Sequence, residues 1–370
     1  MGTLYISFGL KIIFYYFKSN YANHNFLIHL AISKKNNNRA SSADVAREAG
    51  VSQPTVSRAF TAGAYISKDK KEKVLAAANK LDYHPNIIAR SLNQQSTKII
   101  GIVMTRFFQT FYSIALGEFT KKLQEKGYST LLLNITDDEE VEQVVPTALQ
   151  YQVDGIVITS ATLSSKLVDS CLKFRTPLVL FNRYSTNENV DAVYCDSVNG
   201  GRIVAQAFIE DGHKRFAFVC GEKGISTSRD RELGFVERLN EEGLELMMRY
   251  DGDFTYESGY EAAKYLLDRK DHPDAVFCAN DLMGIGILDY AKRRLNIKIP
   301  RDLAVIGFDD TPMASWPEIQ LTTISQPIPH LVDATITRLM NAINATVDET
   351  IIKKISGSLV KRTSTRNRLK

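Results

Sequence analysis

The stretch SSADVAREAGVSQPTVSRAF, Ser41 to Phe60, contains two short helical patterns joined at a glycine. Ser41 stands at an N-cap position with Asp44 three residues on, and Val45, Ala46 and Ala49 supply the inner face of a first helix. Gly50 ends it, because glycine enters the left-handed conformation of a helix terminus without a Cβ penalty. In VSQPTVSRAF, Ser52 is the next cap and Pro54 falls in the first turn, where its missing N–H does no harm. Val56, Ala59 and Phe60 turn inward, which leaves Gln53, Pro54, Thr55, Ser57 and Arg58 facing outward.

Two helices about a tight glycine turn make a helix-turn-helix, whose second member lies in the DNA major groove. A guanidinium can grip guanine O6 and N7 and a carboxamide can read adenine, so Arg58 and Gln53 suit that groove. Ser41, Ser52, Pro54, Thr55 and Ser57 complete the candidate DNA-facing set. A small helical hairpin with a solvated polar face explains the first two helices equally well. The next segment, SKDKKEKVLAAANKLDY (Ser67 to Tyr83), argues against it: a third capped helix, with Val74, Leu75, Ala78 and Leu81 on one stripe, closes a three-helix core.

The charge distribution agrees. The 370 residues carry 46 basic and 42 acidic side chains, a net of +4. Residues 1–38 hold four basic and no acidic groups, residues 39–98 ten and five, and residues 99–370 the remaining 32 and 37, giving +4, +5 and −5. The positive field sits where a polyanion would be held.

From Lys98 onward the pattern alternates. KIIGIVM, STLLLNI, DGIVITS, TPLVLFN, RFAFVCG, AVFCAN and LAVIGFDD are short buried-strand runs, separated by helical stretches such as YSIALGEFTKKLQEKG and NGGRIVAQAFIEDG. This predicts an α/β, doubly wound parallel architecture behind the helical head.

DVAREAGVSQPTVSRAF, KVLAAANKLDYHPNIIARSL, TKIIGIV, GFDD and LTTISQP together resemble the LacI/GalR family of bacterial transcription regulators, over about residues 40–366. The resemblance implies that Pro85 to Asn93 is a hinge helix that orders on the operator, with Asn86, Arg90 and Leu92 facing DNA and Leu92 wedged between base pairs. It implies two α/β subdomains of periplasmic-binding-protein type, residues 99–195 with 327–346 and residues 196–326 with 347–370. A small, carbohydrate-derived effector is expected between them.

The family's effector contacts, carried over residue by residue, fall first on Arg229 and Asp309, then on Phe277 and Asp196, and on Phe111 and Tyr112. Arg183, Asn280 and Trp316 are further candidates. Asp196 and Asn280 could instead cap helices and Phe277 could be core. Arg183, as a second guanidinium, would favour a sugar acid or a phosphorylated sugar. The implied assembly is a homodimer on a pseudo-palindromic operator. No leucine heptads follow LVKRTSTRNRLK that could build a tetramer.

Other classes find less support. No strand leads into GxGxxG or GxxxxGK[ST], no HExxH or GxSxG is present, and the six histidines are scattered, so catalysis, a metal and a cofactor are not expected. An exported sugar-binding protein of the same α/β fold would have no use for a DNA-reading head. Cys171, Cys195, Cys220 and Cys278 are too far apart for a CxxC motif, which suits a reducing cytoplasm. LYISFGLKIIFYYF (Leu4 to Phe17) is short, interrupted by Lys11 and without a convincing cleavage site. Residues 1–38 are therefore expected to lie outside the functional fold, as over-extended translation, rather than to be an export signal.

Overall fold

The computed structural model describes residues 40–61, 63–84, 96–105, 109–135, 141–159, 164–185, 190–346 and 349–366. The expected N-terminal extension and the expected hinge segment, with Asn86, Arg90 and Leu92, lie outside the described residues. The chain separates into two units, one through Pro85 and one from Asn86.

The first unit is three helices, α1 (Ser42–Ala49), α2 (Gln53–Ala59) and α3 (Lys68–Lys80). Ser41 caps α1 in a full capping box: the Asp44 amide donates to Ser41 Oγ at 3.3 Å, and the Ser41 amide donates to the Asp44 carboxylate at 2.9 Å. Those bonds hold the Asp44 carboxyl below its usual range. Gly50 closes α1 at φ 63°, and the Val51 amide reaches back to the Ala46 carbonyl. Val45, Val56 and Val74 form a small core with Ala46, Ala59, Ala77 and Ala78. Leu75, expected on the inner stripe, is exposed, and Ala77 takes the inward place. Position 75 sits one residue, about 100° of helix, from the buried Val74.

The second unit is built on two six-stranded sheets. The first contains β1 (Ile99–Thr105), β2 (Ser129–Ile135), β3 (Gly155–Ile158), β4 (Leu178–Phe181), β5 (Asp191–Cys195) and β11 (Ile352–Ile355), in the order β11-β5-β4-β3-β1-β2, all parallel. The second contains β6 (Phe216–Cys220), β7 (Leu246–Asp251), β8 (Ala275–Cys278), β9 (Ala304–Asp309), β10 (Thr322–Ser325) and β12 (Ser358–Val360), in the order β12-β10-β9-β8-β6-β7. Only β12 runs antiparallel to its neighbour. The crossovers of the first sheet are α4 (Thr110–Glu125), α5 (Val141–Gln150) and α6 (Ser165–Lys173). The chain enters the second sheet through α7 (Ser197–Glu210), and α8 (Ser226–Glu241), α9 (Tyr256–Leu267) and α10 (Asp281–Arg293) connect its strands.

Both faces of β1 are buried, as a doubly covered parallel strand requires: Ile100, Ile102 and Met104 point into one core, Val103 into the other. All seven strand runs read from sequence are strands. The partly exposed edge strand β7 and the short β10, β11 and β12 were not among them, because edge and four-residue strands carry little apolar signal.

The return segment divides differently from the expectation. Helix α11 (Ile328–Ile343) lies on the first sheet, where a Cβ at Gly155 would meet Leu339 at 2.9 Å. Strand β11 then pairs with β5 of that same sheet, and only from β12 does the chain rejoin the second. Residues 352–355 thus belong with the first sheet, whose β5 edge they cover. Four cysteines, at 171, 195, 220 and 278, are buried and free. Among the described residues no helix is long and apolar enough to cross a membrane, and no cluster of His, Cys, Asp and Glu could hold a metal ion.

Candidate nucleic-acid interface and effector cleft

On α2 the inner residues Val56 and Ala59 are buried, while Ser52, Gln53, Pro54, Ser57 and Arg58 are exposed and Thr55 half-exposed. Ser52 supplies the cap backbone only. Its hydroxyl bonds to Thr55 Oγ1 at 2.9 Å, so neither serves the helix amides. Gln53 Nε2 donates to Ser42 Oγ at 2.7 Å, which ties the start of α2 to α1 and fixes the direction of the carboxamide. Arg47 and Lys80 pair with Asp44 and Glu48. Arg58 has no ion pair among the described residues, and its guanidinium is available to an outside acceptor.

The second candidate site is at the carboxyl ends of the strands, where an open α/β sheet places its ligands. From the first half, β4 leads into Asn182, Arg183 and Tyr184, and β5 into Asp196 and Ser197. From the second, α8 brings Ser226, Thr227, Asp230 and Arg231, β9 ends at Asp309, and Gln326 follows β10. The two halves touch here. Arg183 Nη1 donates to Thr227 Oγ1 at 3.2 Å, and Tyr184 donates its hydroxyl to Asp230 at 3.0 Å while accepting from Arg229.

Arg231 is the centre of this site. Its guanidinium is 3% exposed, stacks on the Phe308 ring 3.7 Å from the centroid, donates to the Ala279 carbonyl, and lies 3.4 Å from Asp309 Oδ1. Gln326 Nε2 donates to the same carboxylate oxygen at 2.7 Å. Burial nonetheless pushes the Asp309 carboxyl above its usual range, against the pull of Arg231. Asp309 and Asp310 both have positive φ, 114° and 56°, a conformation rare outside glycine and found where a site over-determines the backbone. Behind Asp309, Asp281 is wholly buried and accepts from the Thr311 amide and hydroxyl and from Thr323. Burial, then the Asp309 charge, raises its carboxyl to about 8.

Asn182 Oδ1, Arg183 Nε, Ser197 Oγ, Ser226 Oγ, Arg231 Nε and Gln326 Oε1 are buried polar atoms without a hydrogen-bond partner. Buried polar atoms are normally paired, so their gathering at one set of strand ends marks a place meant for an external polar group. A groove of about 700 Å³ beside Lys98, Tyr128, Asp154 and Thr176 opens at the amino ends of the first sheet and has no comparable cluster.

Several expected effector residues stand elsewhere. Arg229 is 64% exposed at the rim, and the arginine facing Asp309 is Arg231, two residues on. Phe277 packs at 5.1 and 5.2 Å against Phe218 and Phe235 in the core of the second sheet. Asn280 caps α10, with both amide atoms occupied by the Met283 amide and the Phe254 carbonyl. Asp196 accepts the Asn199 amide as the cap of α7, though it stands at the end of β5 next to Ser197. Trp316 is exposed beyond a short 3-10 turn, and no contact connects it with the cleft. Phe111 and Tyr112 are buried at the start of α4, Tyr112 with Arg183 5.9 Å from its ring centroid.

The sequence held a signal for Arg231. Helical spacing from the small Gly234 and the apolar Phe235 places Thr227, Asp230 and Arg231 on the inner face of α8 and Arg229 outside it. The face is pressed tight: a Cβ at Gly234 would meet the Val198 carbonyl at 1.9 Å, and one at Gly201 the Arg231 carbonyl at 2.1 Å.

Comparison with known proteins gives the following. Residues 43–86 match the family described as "Bacterial regulatory proteins, lacI family", and residues 205–365 match "Periplasmic binding protein-like domain". The HTH-type transcriptional repressor PurR of Haemophilus influenzae is 32% identical over 287 residues, 76% of this chain and 85% of that protein. Among solved structures, the complex of the transcriptional regulator CelR with cellobiose is 30% identical, with a TM-score of 0.67 over 88% of this chain and all of that one. The Lac repressor dimer bound to operator and the anti-inducer ONPF shares the fold, with a TM-score of 0.79 at 24% identity over 88% of this chain and 99% of that one.

Proposed function

The chain belongs to the lacI family of bacterial regulatory proteins, and from that premise we propose that it is a transcriptional repressor, controlled by a small molecule held between its two sheets. Helix α2 enters the major groove with Arg58 and Gln53 toward base edges, and Ser41, Ser52, Pro54, Thr55 and Ser57 around them. The segment 85–98 forms the hinge, with Asn86, Arg90 and Leu92 on the minor-groove side. The protein acts in the cytoplasm as a homodimer, one three-helix unit to each half of a pseudo-palindromic operator, and it is a regulator rather than an enzyme.

The effector is carbohydrate-derived, and its contacts are Tyr112, Arg183, Arg231 and Asp309, with Asp196 and Phe111 behind them. Because these groups come from both halves, a ligand shifts the balance between arrangements of the two by the difference in contacts it makes in each. That difference reaches the hinge as altered operator affinity.

The observation that carries the DNA reading is the outer face of α2: exposed polar side chains and an unpaired arginine on a helix whose inner face is fully packed. Selection of bound duplexes from a random pool by the full-length protein tests it. The expected outcome is one enriched pseudo-palindrome. Salt-sensitive binding with no enriched sequence would refute it.

A further inference from the structure

We infer that the effector of the cleft carries an anionic oxygen group, a carboxylate or a phosphate, seated on Arg183. The inference rests on the regulator reading above and narrows the ligand class. Its first ground is the pairing of Arg183. The residue is 3% exposed, and its Nη1 donates to the Asn182 carbonyl at 2.8 Å and to Thr227 Oγ1 at 3.2 Å, both neutral acceptors. Its Nε has no partner. No carboxylate among the described residues lies within ion-pair distance of it. The nearby Asp230 is engaged by Arg229 and Tyr184.

The second ground is the charge of the surroundings. Arg231, equally buried, already has Asp309 as its counter-charge. The other carboxyl behind them, Asp281, has its proton affinity raised by burial, which removes it as a compensating anion near neutrality. Two buried guanidiniums therefore face one ionised carboxylate. A buried charge without a partner is costly, and a planar guanidinium fits the two oxygens of a carboxylate or phosphate. The unpaired atoms of Asn182, Ser197, Ser226 and Gln326 are neutral and suit hydroxyl groups. The matching ligand is polyhydroxylated with one acidic end. A neutral sugar would satisfy the hydroxyl partners and leave Arg183 uncompensated.

Thermal unfolding of the full-length chain at fixed ionic strength, titrated with gluconate, inorganic phosphate and glucose, tests this, with Arg183→Met alongside. In the parent protein, gluconate or phosphate should raise the midpoint saturably, at a concentration at least tenfold below that of any glucose effect. A response to gluconate alone identifies a carboxylate source, and one to phosphate alone a phosphate source. Arg183→Met without ligand should melt at the parent temperature or above it, since no unpaired charge remains buried, and should lose the response to both anions. Glucose acting at equal or lower concentration, no saturable effect of either anion, or a ligand-free Arg183→Met that melts lower would each overturn the inference. Operator preference of the parent protein, measured on the same preparation, is independent: its absence sinks the regulator reading, while its presence with a failed anion response sinks only this one.

Discussion

The face of α2 and the cleft at the strand ends are both polar sites, and they are held in opposite ways. The α2 residues sit in water on a short segment, positioned by neighbours within a dozen residues: the Ser41–Asp44 capping box, the Gly50 turn and the Gln53–Ser42 bond. The cleft residues are buried and positioned by partners far along the chain, Arg183 by Thr227, Arg231 by Asp309, and Asp309 by Gln326. A site that faces water costs little to keep polar and can be assembled locally. One that must exclude water has to compensate every charge, and a single helix or loop cannot do that.

The largest expected effect breaks the comparison at its packing. Gly234→Ala puts a methyl 1.9 Å from the Val198 carbonyl and forces α7 from α8, so the second unit should lose about 3 kcal/mol or more, or fail to fold. Gly50→Ala, with nothing within 4 Å of the new Cβ but a φ of 63°, should cost only about 1 kcal/mol. Urea unfolding of both variants measures the contrast, and equal losses would erase it.

Removing an arginine from each site is the next test. Arg231→Ala leaves the Asp309 carboxylate buried without its cation and should destabilise the second unit by about 3 kcal/mol while abolishing the effector response. Arg58→Ala should leave stability within about 0.5 kcal/mol and lose about 1–3 kcal/mol of operator preference, with random-sequence binding nearly intact. Denaturant curves and competition gel shifts read both. Equal loss of operator and random binding would count against Arg58 as a base reader.

The effect of pH sharpens the comparison by sign. Asp281 has a folded-state value near 8, above the value of about 4 in the unfolded chain, so its contribution is complete below pH 4 and is lost as pH rises toward 8. Asp44 is held below its ordinary value, so its contribution is present at neutral pH and lost as the solution turns acid. Calorimetry from pH 5 to 8.5 should show the second unit melting progressively lower, with a flatter profile for Asp281→Asn. An identical slope in parent and variant would remove Asp281 as the cause. The smallest expected effect is Ser41→Ala, which should lower the stability of the three-helix unit by about 1 kcal/mol through the lost cap.

The sequence was most legible where structure is local. The caps, the Gly50 turn, the outward set on α2 and seven buried strands could all be read from spacing. Leu75 was misread by a single helical step, since one turned residue on a short helix changes little in the pattern. In the cleft, Asp309, Tyr112 and Arg183 were recognised, whereas Arg229 was taken for Arg231, and Phe277 and Asn280 for contacts although they serve the core and a helix cap. Ser197, Ser226 and Gln326 gave no signal, because an unpaired hydroxyl or amide is visible only once its surroundings are folded around it.

By itself, then, the sequence determined the three-helix head, the two-sheet architecture and the chemical menu of the strand ends, since helix and strand periodicity and capping act over a few residues. Tertiary structure alone decided that β11 closes the first sheet, that Arg231 rather than Arg229 meets Asp309, and that Arg183 is a buried cation without an anion. Burial and ion pairing depend on which distant segments share one low-dielectric space, and the spacing of residues along a chain does not encode that.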